Sequence, residues 1–159
     1  MQSIELISNS KEDIHELSLM VGELLTEIME TIDEKAFNYN QVETENRAHD
    51  LLNRNVYWVF LVKDIPSAKI IGFVSLYESF ALYSEGAYGT IPELYVRPKW
   101  RSQKIGKHLL EKVVSFAKEK NWRRLEVTTP PLPEFEKTLQ FYQKNGFEIA
   151  GGRKLKINI

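Results

Sequence analysis

Apolar positions recur along this chain with two different periods, and the places where the period changes mark its elements. A short alternating start at Ile4 and Leu6 with Ile7 gives way, from Ser10, to Ile14, Leu17, Val21, Leu24, Leu25 and Ile28 at helical spacing. Ser10 is placed to cap that helix, with Asp13 three residues on. Over 41–53 only Val42, Leu51 and Leu52 are clearly apolar, which predicts a helix lying on the surface. Runs rich in β-branched and aromatic residues at 56–62, 70–76 and 88–96 predict a β-meander. Its first connection is a tight turn at Ile65-Pro66-Ser67; its second, over 79–86, is long enough to be a functional loop.

A long helix is predicted over 106–120, where Ile105, Leu109, Val113, Phe116 and Ala117 form one stripe. Beyond it, 125–128 reads as a strand and 134–144 as a helix ended by Asn145-Gly146, and 147–149 and 154–159 read as two closing strands. A strand, a helix and a second, parallel strand joined by short turns require a right-handed crossover. The predicted order is β-α-α-β-β-β-α-β-α-β-β, an α/β fold (α+β by some schemes) around a mixed sheet. No repeat, low-complexity tract or Gly/Ser linker interrupts the 159 residues, so a single domain over 1–159 is expected.

Charge narrows the range of functions. Twenty-one Lys and Arg against 22 Asp and Glu leave a net charge of −1, without the broad basic field that non-specific binding to nucleic acid or anionic membrane uses. The absence of cysteine removes disulfides, thiolate metal ligands and a cysteine nucleophile, and three scattered histidines are poor material for a metal site. Neither a signal peptide nor a long apolar span is present in the pattern, and a cytoplasmic location is expected.

Chemistry concentrates between Pro92 and Leu110, where a strand runs through a basic turn into a helix. The N–H groups of a helix N-terminus lack partners and carry the positive end of the macrodipole, so such a turn suits a phosphate group. Arg97, Lys99, Arg101, Lys104 and Lys107 add charge there; the plainer alternative is a solvated basic turn ahead of a core helix.

Arg101-x-x-Lys104-Ile105-Gly106-Lys107-x-Leu109-Leu110, preceded by Leu94-Tyr95-Val96-x-Pro98, resembles the acyl-CoA-binding motif of the GNAT N-acyltransferase superfamily. Phe141-Tyr142-x-Lys144-x-Gly146-Phe147 resembles its C-terminal motif, in the right order and at a suitable separation. The resemblance is specific over 88–150 and looser before that. It implies a GNAT-like mixed, mostly antiparallel sheet flanked by helices, and a single N-acetyltransferase domain using acetyl-CoA as co-substrate without a metal. It also implies that the main-chain N–H groups of Gln103, Lys104, Ile105, Gly106, Lys107 and His108, beside Arg101, hold the coenzyme A pyrophosphate. In the same way, the backbone of Leu94 and Val96, flanking Tyr95, would pair with the pantetheine arm like an added strand. Two positions depart from the family pattern: Lys104 stands where Gly is usual, and Thr129-Pro130-Pro131-Leu132-Pro133 where an Asn is common.

Acyl transfer to an amine needs a neutral amine, stabilisation of the oxyanion and a proton for the departing thiolate. With the motif match, Tyr142 is the acid, although Phe135, Leu139 and Tyr142 also fall on one helix face as core residues would. Glu93, next to Leu94, is the first choice of base, with a solvated carboxylate as the plainer reading and Glu78, Glu126 and His108 as rivals. The Leu94 or Tyr95 N–H would serve the oxyanion. Phe37, Tyr39, Glu43, Glu45, Asp50, Tyr77, Glu78, Tyr83, Glu85 and Tyr88 lie in the segments that set acceptor specificity in this family, where carboxylates and rings could hold a cationic amine. The reading is an acetyl-CoA-dependent N-acetyltransferase acting on a small-molecule or peptide amine in a ternary complex, with no nucleic acid or membrane partner and with room for a homodimer. The alternatives are a non-catalytic acyl-CoA-binding or regulatory module, and an interaction domain that dimerises through its last strands.

Overall fold

The computed structural model describes residues 4–8 and 11–159, and its chain divides into two compact units, Met1–Thr128 and Thr129–Ile159. In the first, strand β1 (Ile4–Ser8) leads through a short 3-10 turn (Lys11–Asp13) into helix α1 (Ile14–Ile32). The cap expected at Ser10 lies outside the described residues. Ile14, Leu17, Met20 and Ile28 are buried along α1, which ends at Asp33 in the left-handed conformation, its N–H on the Met29 carbonyl. Helix α2 (Gln41–Asn53) is the polar surface helix its pattern predicts, capped by Asn40 Oδ1 accepting from the Glu43 N–H at 3.0 Å. Ser18 and Tyr39 tie the two helices together: the Tyr39 hydroxyl donates to the Ser18 carbonyl at 2.6 Å, and the Ser18 hydroxyl to the Gln41 carbonyl at 3.1 Å.

Strands β2 (Tyr57–Asp64) and β3 (Lys69–Ser79) are the antiparallel centre of the sheet, with Phe60 opposite Val74. Val62, Ile71, Phe73, Val74 and Leu76 are almost wholly buried, as expected of a strand pair covered on both faces. Helix α3 (Ile105–Glu119) buries Leu109, Leu110, Val113 and Ala117.

The third strand of the predicted meander is not one strand. It divides into β4 (Tyr88–Ile91) and β5 (Leu94–Val96), separated by Pro92 and Glu93. Pro92 has no N–H to give a ladder, and the Glu93 N–H turns aside to Ser75 Oγ at 3.2 Å. β4 pairs with the end of β3 and, in parallel, with β6 (Leu125–Val127), while β5 pairs with the middle of β3 only. The sheet order is β1-β2-β3-β4-β6 with β5 off that path.

In the second unit, helix α4 (Glu136–Lys144) follows the proline-rich segment and carries Tyr142 as its buried residue. The two closing strands expected at 147–149 and 154–159 are not formed: this stretch has no regular structure, and Gly151 and Gly152 both take positive φ. Alternation supplies a strand with a face but not with a partner ladder, and Leu155, Ile157 and Ile159 are left exposed. No helix among the described residues is long and apolar enough to cross a membrane.

Candidate active site

The division at Pro92-Glu93 leaves β5 with one free edge. Ser75 N–H donates to the Glu93 carbonyl at 2.9 Å and Arg97 N–H to the Ile71 carbonyl at 2.8 Å, with Tyr95 opposite Phe73 between them. By antiparallel alternation residues 93, 95 and 97 face β3, and the N–H groups of Leu94 and Val96 face outward. Of the two donors expected for the oxyanion, the Leu94 N–H is therefore the free one, because that of Tyr95 lies in the ladder. Gly72, opposite Val96, permits this close pairing: a Cβ there would stand 2.8 Å from the Tyr95 carbonyl oxygen.

From β5 the chain passes through a 3-10 turn (Pro98–Trp100) to α3. Lys104, the residue before α3, takes φ +63° with no side-chain cap, and Ser102 takes φ +62°. The His108 N–H closes the first helical turn on the Lys104 carbonyl at 3.1 Å, so it is not available to a ligand as the resemblance implied. Among the described residues, the N–H groups of 103–107 have no acceptor, and His108 Nδ1 is buried without a partner. A run of unpaired donors at a helix N-terminus after left-handed residues is an anion cradle, and it fits a pyrophosphate.

Holding Lys104 left-handed has a cost. Lys104→Gly is expected to raise stability by about 1 kcal/mol, read as a higher Tm, because glycine adopts this conformation without the Cβ clash.

Two of the cationic side chains expected at this turn are committed elsewhere. Arg97 forms ion pairs with Glu16 at 3.0 Å and Glu23 at 2.9 Å on α1, and donates to the Ile70 carbonyl. Arg101 pairs with Glu27 at 2.7 Å and donates through Nε to the Val96 carbonyl at 2.7 Å. They shape the turn; Lys104 is exposed, and the exposed Lys107 lies 3.9 Å from Glu111 one turn along α3.

Glu93 is half-buried at the start of the free edge. Its Oε2 accepts from both the Tyr57 hydroxyl and the Ser75 hydroxyl; Oε1 has no hydrogen bond among the described residues. Burial pushes the Glu93 carboxyl above the ordinary range, and the two hydroxyl donors oppose this only in part. Burial, with Glu93 beside it, likewise holds the Tyr57 phenol well above its usual value, so Tyr57 remains a donor. Neither Tyr57 nor Ser75 was marked by the sequence pattern; strand register alone brings them to Glu93.

Of the rival bases, Glu78 and Glu126 are engaged, whereas His108 Nδ1 has no partner among the described residues. Glu78 accepts from Trp122 Nε1 at 2.6 Å, and Glu126 from Arg124 Nε at 2.5 Å. Several residues of the acceptor segments are likewise structural: Tyr39 holds α1 to α2, Glu45 pairs with His15 at 2.7 Å, and Asp50 with Arg54 at 3.1 Å. Tyr77 stacks on Tyr57 with ring centroids 6.4 Å apart, Arg124 lies over the rings of Tyr83 and Tyr88, and Phe37 is exposed.

In the second unit, Tyr142 is buried between the edges of Phe141 and Phe147. Its hydroxyl makes no hydrogen bond with any described residue, and burial pushes the phenol up, so it is protonated at neutral pH.

An unpaired strand edge on β5, which pairs with β3 while β6 pairs with β4, followed by unpaired N–H groups at the start of α3, is a geometry suited to a phosphate-bearing cofactor with an extended arm. The chain belongs to the GNAT acetyltransferase family: the model of the acetyltransferase (GNAT) domain matches residues 53–149. It is an N-acetyltransferase with acetyl-CoA as co-substrate. The aminoalkylphosphonate N-acetyltransferase of Salmonella typhimurium (strain LT2) is 29% identical over 129 residues, which cover 81% of this chain and 76% of that protein. An aminoglycoside N-acetyltransferase solved in complex with CoA shares the fold at TM-score 0.80 and 14% identity, over 99% of this chain and 96% of that one. An acetyltransferase from Trypanosoma brucei shares it at TM-score 0.73 and 24% identity, over 99% of this chain and 100% of that one.

Proposed function

We propose that this enzyme acetylates a small primary amine by direct attack in a ternary complex, with Glu93 as base and Tyr142 as acid. The observation that carries this reading is Glu93 Oε1, a carboxylate oxygen with no hydrogen bond among the described residues, on the residue that leads into β5. Acetyl-CoA, when bound, supplies the acetyl group as a thioester whose C–S bond is exchanged for a C–N bond to the amine. The N–H groups of 103–107 are suited to its pyrophosphate, and the outward edge of β5 at Val96 to its pantetheine arm, with the Leu94 N–H left for the acyl oxygen.

Glu93 Oε1 takes the amine proton, directly or through one water, and a carboxyl raised toward neutrality is the better base for it. The Leu94 N–H is the donor available to the charge developing on the acyl oxygen. Tyr142 supplies a proton at the sulfur. With no cysteine in the chain, no cysteine-bound acyl group intervenes. The same reading treats residues 1–159 as one catalytic domain working in the cytoplasm. It also has the enzyme pairing as a homodimer, an arrangement that would cover the exposed, alternating Leu155, Ile157 and Ile159.

The test is calorimetric titration with acetyl-CoA and desulfo-coenzyme A, followed by thiol release on a panel of aminoalkylphosphonates, aminoglycosides and peptides with free N-termini. Micromolar binding with turnover on one amine class is expected. Binding without turnover on any amine would overturn the catalytic assignments.

A further inference from the structure

We infer that Tyr57 and Ser75 are positioning residues that assign the base's work to a single oxygen of Glu93, an inference that rests on Glu93 being the base. Two of the three residues come from strands, and Glu93 from the break between β4 and β5. Ser75 on β3 lies alongside Glu93, two residues before Tyr95, and Tyr57 reaches across from β2, two residues from the partner of Ser75. Each hydroxyl has one proton to give. The Glu93 N–H reaches the Ser75 oxygen at 3.2 Å; the Ser75 hydroxyl lies nearer to Oε2 than to the Glu93 carbonyl at 3.4 Å, and the Tyr57 hydroxyl nearer to the same Oε2 than to Ser75 Oγ at 3.2 Å, so both protons go to Oε2. Two donors on one carboxylate oxygen satisfy its lone pairs, so the proton leaving the amine arrives at Oε1, which neither hydroxyl touches.

The arrangement has a second effect. Hydroxyl donors stabilise the ionised carboxylate against the burial that disfavours it, so the clamp sets how far up Glu93 is pushed. The groups acting on it are Tyr57 from β2 and Ser75 from β3, with Tyr77 behind Tyr57. Neither Tyr57, held well above its usual value, nor the Ser75 hydroxyl carries charge near neutrality.

The test is a pH titration of glutamate labelled with 13C at the carboxyl carbon, the Glu93 resonance being the one missing from Glu93→Gln. In Tyr57→Phe and in Ser75→Ala the midpoint is expected to rise by about one pH unit. Turnover should fall several-fold near pH 7 and recover toward pH 9, with acetyl-CoA affinity unchanged. A merely structural role would lower stability without moving the midpoint or restoring turnover with alkali. An unmoved midpoint in both variants overturns the inference, and Ser75→Ala alone decides it should Tyr57→Phe fail to fold. Glu93→Gln separates the two claims. Full turnover in that variant removes Glu93 from the chemistry, whereas lost turnover there with unmoved midpoints elsewhere overturns only the clamp.

Discussion

Replacing Glu93 by Gln is expected to lower kcat by about 10²- to 10⁴-fold, the range general-base catalysis contributes. The near-isosteric amide still accepts from Tyr57 and Ser75 through its oxygen, so the loss should isolate proton acceptance rather than collapse of the site. Acetyl-CoA affinity should change by less than about twofold, since the cradle and the free edge of β5 are main-chain features. Stability supplies an independent reading. Glu93 titrates higher in the folded chain than an ordinary carboxylate, chiefly because of burial. Such a group stabilises the fold below the usual carboxylate range and loses that contribution as pH rises through its raised value. Glutamine does not titrate, so thermal melts should show the variant gaining on the natural protein as pH rises. A constant difference in Tm across pH would contradict a raised Glu93.

Tyr142→Phe is expected to lower kcat by about 10²-fold at saturating acetyl-CoA, through loss of the proton donor at sulfur. Its hydroxyl has no hydrogen-bond partner among the described residues, and the ring contacts with Phe141 and Phe147 survive in phenylalanine. Removing an unpaired hydroxyl from an apolar setting leaves no other group stranded, so Tm should hold or rise slightly. The phenol is pushed up by burial, which keeps it protonated but makes complete transfer uphill. The expected loss is therefore largely that of a donated hydrogen bond to the leaving sulfur, as the proposed role of Tyr142 as acid requires. Steady-state thiol release checks this, and an unchanged kcat would remove Tyr142 from the chemistry.

Much of the architecture was legible from periodicity because burial imposes it. The stripe Leu109, Val113 and Ala117 and the unbroken apolar run of β3 are what a helix and a doubly covered strand must look like. Less legible were features that depend on a partner distant in sequence. The run 88–96 has uniform strand character, yet β4 and β5 follow different neighbours from Pro92 onward. Residues 154–159 alternate as a strand should, but pairing requires a ladder as well as a pattern. At the site, the motif pointed to the turn whose N–H groups at 103–107 have no acceptor among the described residues, while the charges of Arg97 and Arg101 pointed to phosphate when their partners are the glutamates of α1. Tyr57 and Ser75 lie 36 and 18 residues from Glu93 and carry no local signal of their role.

The clasp between those arginines and α1 has an energetic corollary. Glu16, Glu23 and Glu27 fasten one side of α1 to the turn that precedes α3, while Ser18 and Tyr39 fasten α1 to α2. An acceptor that orders α1 and α2 thereby also orders the cofactor turn, and the entropy of arranging that turn is no longer charged to acetyl-CoA. Linkage makes the effect mutual: an amine that tightens acetyl-CoA binding through this helix must itself be bound more tightly, by the same factor, once acetyl-CoA is in place.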